Sequence, residues 1–150
     1  MLIRLFILSL SLMFTSPLWA ITCYYTLVKD NCWLKYNVSV KVMDGTSGDV
    51  LTTVTVPAGQ AWTRTTFPCK IHGQQLIYSA QFTPSIWDRE KGKIYSAKNS
   101  WSLPNVVHPG DTAWNVSVCF SADFSELPMT PEATNSCTCD FKSIPEIQPQ

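Results

Sequence analysis

Stretches of apolar and polar residues alternate along this chain with a period of two, the spacing of a strand that buries one face. The clearest covers residues 33–43, where Leu34, Tyr36, Val38, Val40 and Val42 alternate with Lys35, Asn37, Ser39 and Lys41. Residues 50–56 repeat the idea, with Val50, Val54 and Val56 on one face, threonines between them, and a Pro57-Ala58-Gly59 turn at the end. Residues 60–67 then read as the returning strand. In residues 75–82, Leu76, Tyr78, Ala80 and Phe82 oppose Gln75, Ser79 and Gln81. Residues 86–97 read as a hairpin about Glu90-Lys91-Gly92, and residues 112–120 as a strong strand after the Pro109-Gly110-Asp111 turn. No segment has the helical period. Tyr36-Asn37-Val38-Ser39-Val40 resembles Trp114-Asn115-Val116-Ser117-Val118, but the neighbouring elements come in a different order, so the likeness is strand chemistry and not a repeat. The pattern predicts an all-β fold, a small antiparallel two-sheet sandwich of immunoglobulin-like architecture.

The two ends depart from this pattern. Residues 1–20 carry one charge at Arg4, an apolar run over residues 5–14, the turn-forming Ser16 and Pro17, and a small residue at Ala20. That is the layout of a cleaved signal peptide, and the run is shorter than the roughly 20 residues needed to span a bilayer. From residue 121 onward prolines at 128, 131, 145 and 149 replace the alternation. The expected organisation is a signal peptide over 1–20, a β-sandwich over 21–120, and a proline-rich, cysteine-containing tail over 121–150 packed on it.

Charge and cysteine content sharpen the picture. Without Arg4, ten of the eleven basic residues remain against eleven acidic ones. A near-neutral chain has no electrostatic footprint for nucleic acid, and no further segment is apolar enough for membrane insertion after signal cleavage. The six cysteines, Cys23, Cys32, Cys69, Cys119, Cys137 and Cys139, all follow the signal. In an exported chain an even number reads first as disulfides. In the strand ending at Phe120, Trp114, Val116, Val118 and Phe120 share the buried face, which turns Cys119 toward the other side. There Cys137 or Cys139 could pin the tail. Cys23 and Cys32 flank the turn-like Asp30-Asn31 and could clamp an N-terminal hairpin, or either could reach the tail.

Candidate chemistry is sparse. The two histidines, His72 and His108, sit in expected loops without a Gly-x-Ser-x-Gly elbow or a His-Glu-x-x-His helix, so no catalytic residue and no cofactor is assigned. Cys69-Lys70-Ile71-His72 and Cys137-Thr138-Cys139 offer soft metal ligands, but disulfide formation competes for the same sulfurs. No Cys-x-x-Cys redox motif is present. Residues 85–103 interleave Trp87, Tyr95 and Trp101 with Asp88, Arg89, Glu90, Lys91, Lys93 and Lys98. Such a mixture suits a binding surface centred on Trp87, Arg89, Tyr95 and Trp101, with core packing as the plainer account of the same rings. Asn37 and Asn115 head N-glycosylation patterns on expected outer faces. The function expected from the sequence is an exported, non-enzymatic protein that binds a protein or glycan partner in the periplasm or outside the cell. A carbohydrate-binding or hydrolytic module and a metal-binding envelope protein are the alternatives.

Overall fold

The computed structural model describes residues 21–70, 72–133 and 136–148. The expected signal peptide therefore lies outside the described residues. Eight strands follow in order: β1 (Thr22–Lys29), β2 (Asn37–Asp44), β3 (Val50–Val56), β4 (Trp62–Phe67), β5 (Gln75–Thr83), β6 (Tyr95–Ser96), β7 (Trp101–Ser102) and β8 (Ala113–Phe120). They form the predicted sandwich: a three-stranded sheet ordered β4-β1-β8 packs on a sheet ordered β3-β2-β5-β6, with β7 also pairing β5. All pairings are antiparallel except β1 with β8, which runs parallel from Thr22 opposite Ala113 to Lys29 opposite Phe120.

Most of the period-two positions supply the core, but Leu34 and Val50, expected on buried faces, are exposed, Leu34 in the turn before β2 and Val50 at the first position of β3. Val38, Val40 and Val42 from β2, Val54 and Val56 from β3, Leu76, Tyr78 and Ala80 from β5, and Trp114, Val116, Val118 and Phe120 from β8 are all buried. Tyr25 and Leu27 of β1 join them. At one end the rings of Tyr36, Phe82 and Phe120 surround Trp33 at centroid distances of 5.1, 4.7 and 4.8 Å, a tilted contact with Tyr36 and edge-on contacts with the other two.

Three local expectations are corrected. Strand β2 begins at Asn37, not at residue 33, because the chain turns first: the Trp33 amide donates to the Asp30 carbonyl and the Tyr36 amide to the Trp33 carbonyl, both at 3.1 Å. Trp33 and Tyr36 reach the core at a spacing of three, which imitates alternation only in part. Residues 86–97 do not pair with each other. Asp88–Glu90 forms a 3-10 turn, and Tyr95–Ser96 pairs with β5 instead. The strand over residues 22–29 was not anticipated, and the reason is its position. As the central strand it is covered on both faces, so Thr26 and Val28 are as buried as Tyr25 and Leu27 and no alternation shows.

Disulfides join Cys23 to Cys69, Cys32 to Cys137 and Cys119 to Cys139. Cys23 and Cys32 thus do not clamp a hairpin. Cys119 takes a tail cysteine, as its facing implied, and Cys32 takes the other. Both tail bridges sit at the end of β1 and β8, where the Asn31 side chain accepts from the Thr138 amide at 2.8 Å. Beyond them the tail crosses the outer face of the three-stranded sheet, and the Pro145 carbonyl accepts from Arg64 Nη1 at 2.8 Å.

Two charged residues are buried at the same end. Lys29 continues the inward series of β1, and its ammonium donates to the carbonyls of Tyr36 (2.7 Å), Pro57 (2.9 Å) and Leu34 (3.2 Å). Asp30 accepts from the Cys32 amide at 2.9 Å through Oδ1, and from the Ser121 amide and hydroxyl at 3.0 and 2.7 Å through Oδ2. Each buried charge is thereby met by several hydrogen bonds, which offset its desolvation.

Candidate functional site

The β5–β6 connection carries the residues singled out in the sequence, and the fold separates them. Tyr95 is buried, its ring stacked on Phe82 at 5.5 Å, and its hydroxyl approaches Glu90 at 3.5 Å. Burial first and the Glu90 charge second raise its pKa. Tyr95 is the anchor that fixes the loop to the sheet. Trp87 is the opposite case: 54% of its surface is exposed, and the Arg89 guanidinium carbon lies 5.6 Å from its ring centroid. That stacking pairs the exposed indole with a cation. Ile94, 59% exposed, adds apolar surface on the same connection. Trp101 is exposed on β7 opposite Leu76, and among the described residues no ring contact links it to Trp87. The arrangement presents Trp87 and Arg89 together, Tyr95 packed on Phe82, and Trp101 farther along the same edge of β5, opposite Leu76 where Tyr95 is opposite Ala80.

The histidines have different surroundings. His108 caps its own turn, where its amide donates to Asp111. His72 lines an open depression with Asp44, Ser47 and Lys70. Asp44 is committed elsewhere: its Oδ1 accepts from the Thr46 and Ser47 amides at 2.8 Å each, and its Oδ2 from Gln74 Nε2 at 2.6 Å. The Ser47 amide, the Gln74 side chain and the Thr46 amide hold its carboxyl down at about 2, from 3.8. This carboxylate stabilises the β2–β3 turn as an anion and is a poor base. Its contribution is present above pH 3.8 and lost as pH falls from there toward about 2. Asp44→Asn is expected to flatten the acid limb of a plot of unfolding temperature against pH. An unchanged limb would mean that Asp44 does not carry this term.

All six sulfurs are consumed in disulfides, so the paired Cys69 and the Cys137-Cys139 couple offer no thiolate to a metal. Asp30 lies close to Cys32 and Cys137, but those two sulfurs are bonded to each other. Asn37 and Asn115 are exposed as expected, and in each the amide nitrogen that a glycan would occupy donates to a hydroxyl, of Thr83 at 3.4 Å and of Ser117 at 2.8 Å.

No family model, curated protein or solved structure matches the chain. What the fold itself contributes is compartment chemistry. Three disulfides in a small domain point to an oxidising, exported environment. Among the described residues no helix is long and apolar enough to cross a membrane.

One cleft was missed in the sequence. It lies between the tail and the outer face of the β4-β1-β8 sheet, has a volume of about 420 Å³, and has Arg64 on its floor. Arg64 sits in a threonine-rich strand, and the tail residue that completes its environment is 81 positions away, so no local pattern marks it.

Proposed function

We propose that this protein is a non-enzymatic binding protein of the periplasm or extracellular space, holding a protein or glycan partner through the Trp87-Arg89 surface of the β5–β6 connection. The observation that supports the reading is the 54% exposure of Trp87 with Arg89 stacked over it, on a loop whose attachment to the core is made by a different residue, Tyr95. Exposed Trp and Arg are the residue types that dominate binding energies when a partner desolvates them. Because Trp87 is dispensable for the core, Trp87→Ala is expected to leave the unfolding temperature unchanged. It is expected to weaken retention of the partner at least about tenfold, the scale of a hot-spot truncation. A photo-crosslinking residue at position 87 should capture one partner from the native compartment, whereas the same residue at Thr53 on the outer face of β3 should not. If Trp87→Ala unfolds the protein, or retains the crosslinked partner undiminished, this surface is not the binding site.

A further inference from the structure

A second polar surface, on the other sheet, has the makings of a small-molecule site. Register places Thr26 of β1 between Arg64 of β4 and Ser117 of β8. Their side chains form a hydrogen-bonded chain across all three strands: Arg64 Nε donates to Thr26 Oγ1 at 2.8 Å, Thr26 Oγ1 to Asn115 Oδ1 at 2.8 Å, and Asn115 Nδ2 to Ser117 Oγ at 2.8 Å. The direction of the chain matters. Ser117 only accepts within it, so its own proton is available to the cleft. A guanidinium has five N–H donors, and Arg64 uses one on Thr26 and one on the Pro145 carbonyl. No carboxylate lies within 4.0 Å of Arg64 among the described residues, where the one ion pair is Lys35 with Glu132. Its position is further fixed by the Trp62 ring, whose centroid is 5.6 Å from the guanidinium carbon.

The floor is thus a positioned cation with donors to spare, which calls for an acceptor-rich anion such as a carboxylate. The walls add two further features. Phe141, 42% exposed, offers a ring face beside Ile144 and Pro145. Asp111 and Glu146 also line the cleft and bring carboxylate oxygens able to accept from ligand hydroxyls. A volume of about 420 Å³ lies within the range of small-ligand pockets. A ligand matching all three features has one carboxylate, several hydroxyl donors and an apolar ring face. We infer that this cleft binds a sugar acid, its carboxylate on Arg64 and Ser117, its hydroxyls toward Asp111 and Glu146, and its ring against Phe141. The site lies apart from the Trp87 surface and does not depend on it.

Titration of the full oxidised protein with glucuronate, followed by amide and arginine side-chain NMR signals, tests the assignment. Saturable shifts are expected at Arg64 Nε–H and at the Thr26 and Ser117 amides, with a dissociation constant of about 1 mM or tighter. Glucose, which lacks the carboxylate, and acetate, which lacks the hydroxyls and ring, are each expected to bind at least tenfold more weakly. Arg64→Gln should lower glucuronate affinity at least tenfold with the fold retained. Should that variant fail to fold, Ser117→Ala and Phe141→Ala carry the same expectation at a severalfold loss, and neither touches a disulfide. Trp87→Ala should leave the titration unchanged. Absence of saturable shifts, equal affinity for glucose or acetate, or undiminished binding by the folded cleft variants would overturn the assignment.

Discussion

Replacing Cys32 and Cys137 together by alanine is expected to lower the unfolding free energy by about 4 to 5 kcal/mol, the largest loss of any single bridge. The bond closes a loop of 105 residues, against 46 for Cys23 with Cys69 and 20 for Cys119 with Cys139. In the chain-entropy treatment the stabilisation grows with the logarithm of loop length, so the longest loop should exceed the shortest by about 1.5 kcal/mol. Native-state contacts act in the same direction. Cys32 is buried in the core, and its carbonyl accepts from the buried Thr130 hydroxyl at 3.0 Å, an interaction that the bridge holds in register. Urea unfolding of the three double-alanine variants measures the order directly. If removal of the Cys119–Cys139 bridge costs more than removal of the Cys32–Cys137 bridge, loop closure is not what sets the stabilities here.

The second large effect is expected at Lys29. Lys29→Met roughly keeps the length of the side chain and removes its charge and donors, leaving the buried Tyr36 carbonyl and the partly buried Leu34 and Pro57 carbonyls without the ammonium. Leu34 and Pro57 retain backbone donors, the Gly59 amide at 2.7 Å and the Gln60 amide at 3.1 Å. The cost is therefore concentrated at the Tyr36 carbonyl, which has the shortest contact with Lys29, at 2.7 Å. A loss of about 3 kcal/mol follows from orphaning one buried acceptor and weakening two more. The effect also depends on pH. Burial lowers the Lys29 ammonium from 10.5 to about 8, so between those values the unfolded chain holds a proton that the folded chain has released. The stability contributed by Lys29 rises with pH across that window, and the gap between wild type and Lys29→Met is expected to widen there. Denaturant titrations of both proteins on either side of that window read the difference. Equal stability at all pH values would mean that the methionine packs as well as the clasped ammonium.

Neither buried charge is legible in the sequence, and the reason is common to the other omissions. Periodicity reports which side of a strand faces a core, so it recovered β2, β3, β5 and β8, where one face is apolar and the other polar. It cannot report a strand covered on both sides. β1 reads Thr-Cys-Tyr-Tyr-Thr-Leu-Val-Lys because its outer face is roofed by the tail, and a roof arriving from residue 139 onward leaves no local trace. The facing of Cys119 was legible, since it needs only the alternation of β8, and it led to the tail bridge. The interleaved aromatics over residues 85–103 gave types without depths. Tyr95 and Trp87 are equivalent in that pattern, and only the pairing of β6 with β5 makes one an anchor and the other a projection. Arg64 was passed over because its meaning comes from neighbours on β1, β8 and the tail.

The connectivity of the bridges has a consequence for how the chain reaches this structure. Numbered along the sequence, the first cysteine bonds the third, the second the fifth, and the fourth the sixth. A polypeptide that meets its oxidant from the N-terminus exposes Cys23 and Cys32 together, well before Cys69 or Cys137 arrives. Joining cysteines in their order of appearance gives the wrong pairs at the outset. Strand β1 cannot complete its sheet early, because its parallel partner β8 is the last strand made. For a chain oxidised in that order, native pairing requires an exchange of early bonds, and adding a thiol that catalyses exchange is then expected to raise the yield of native protein.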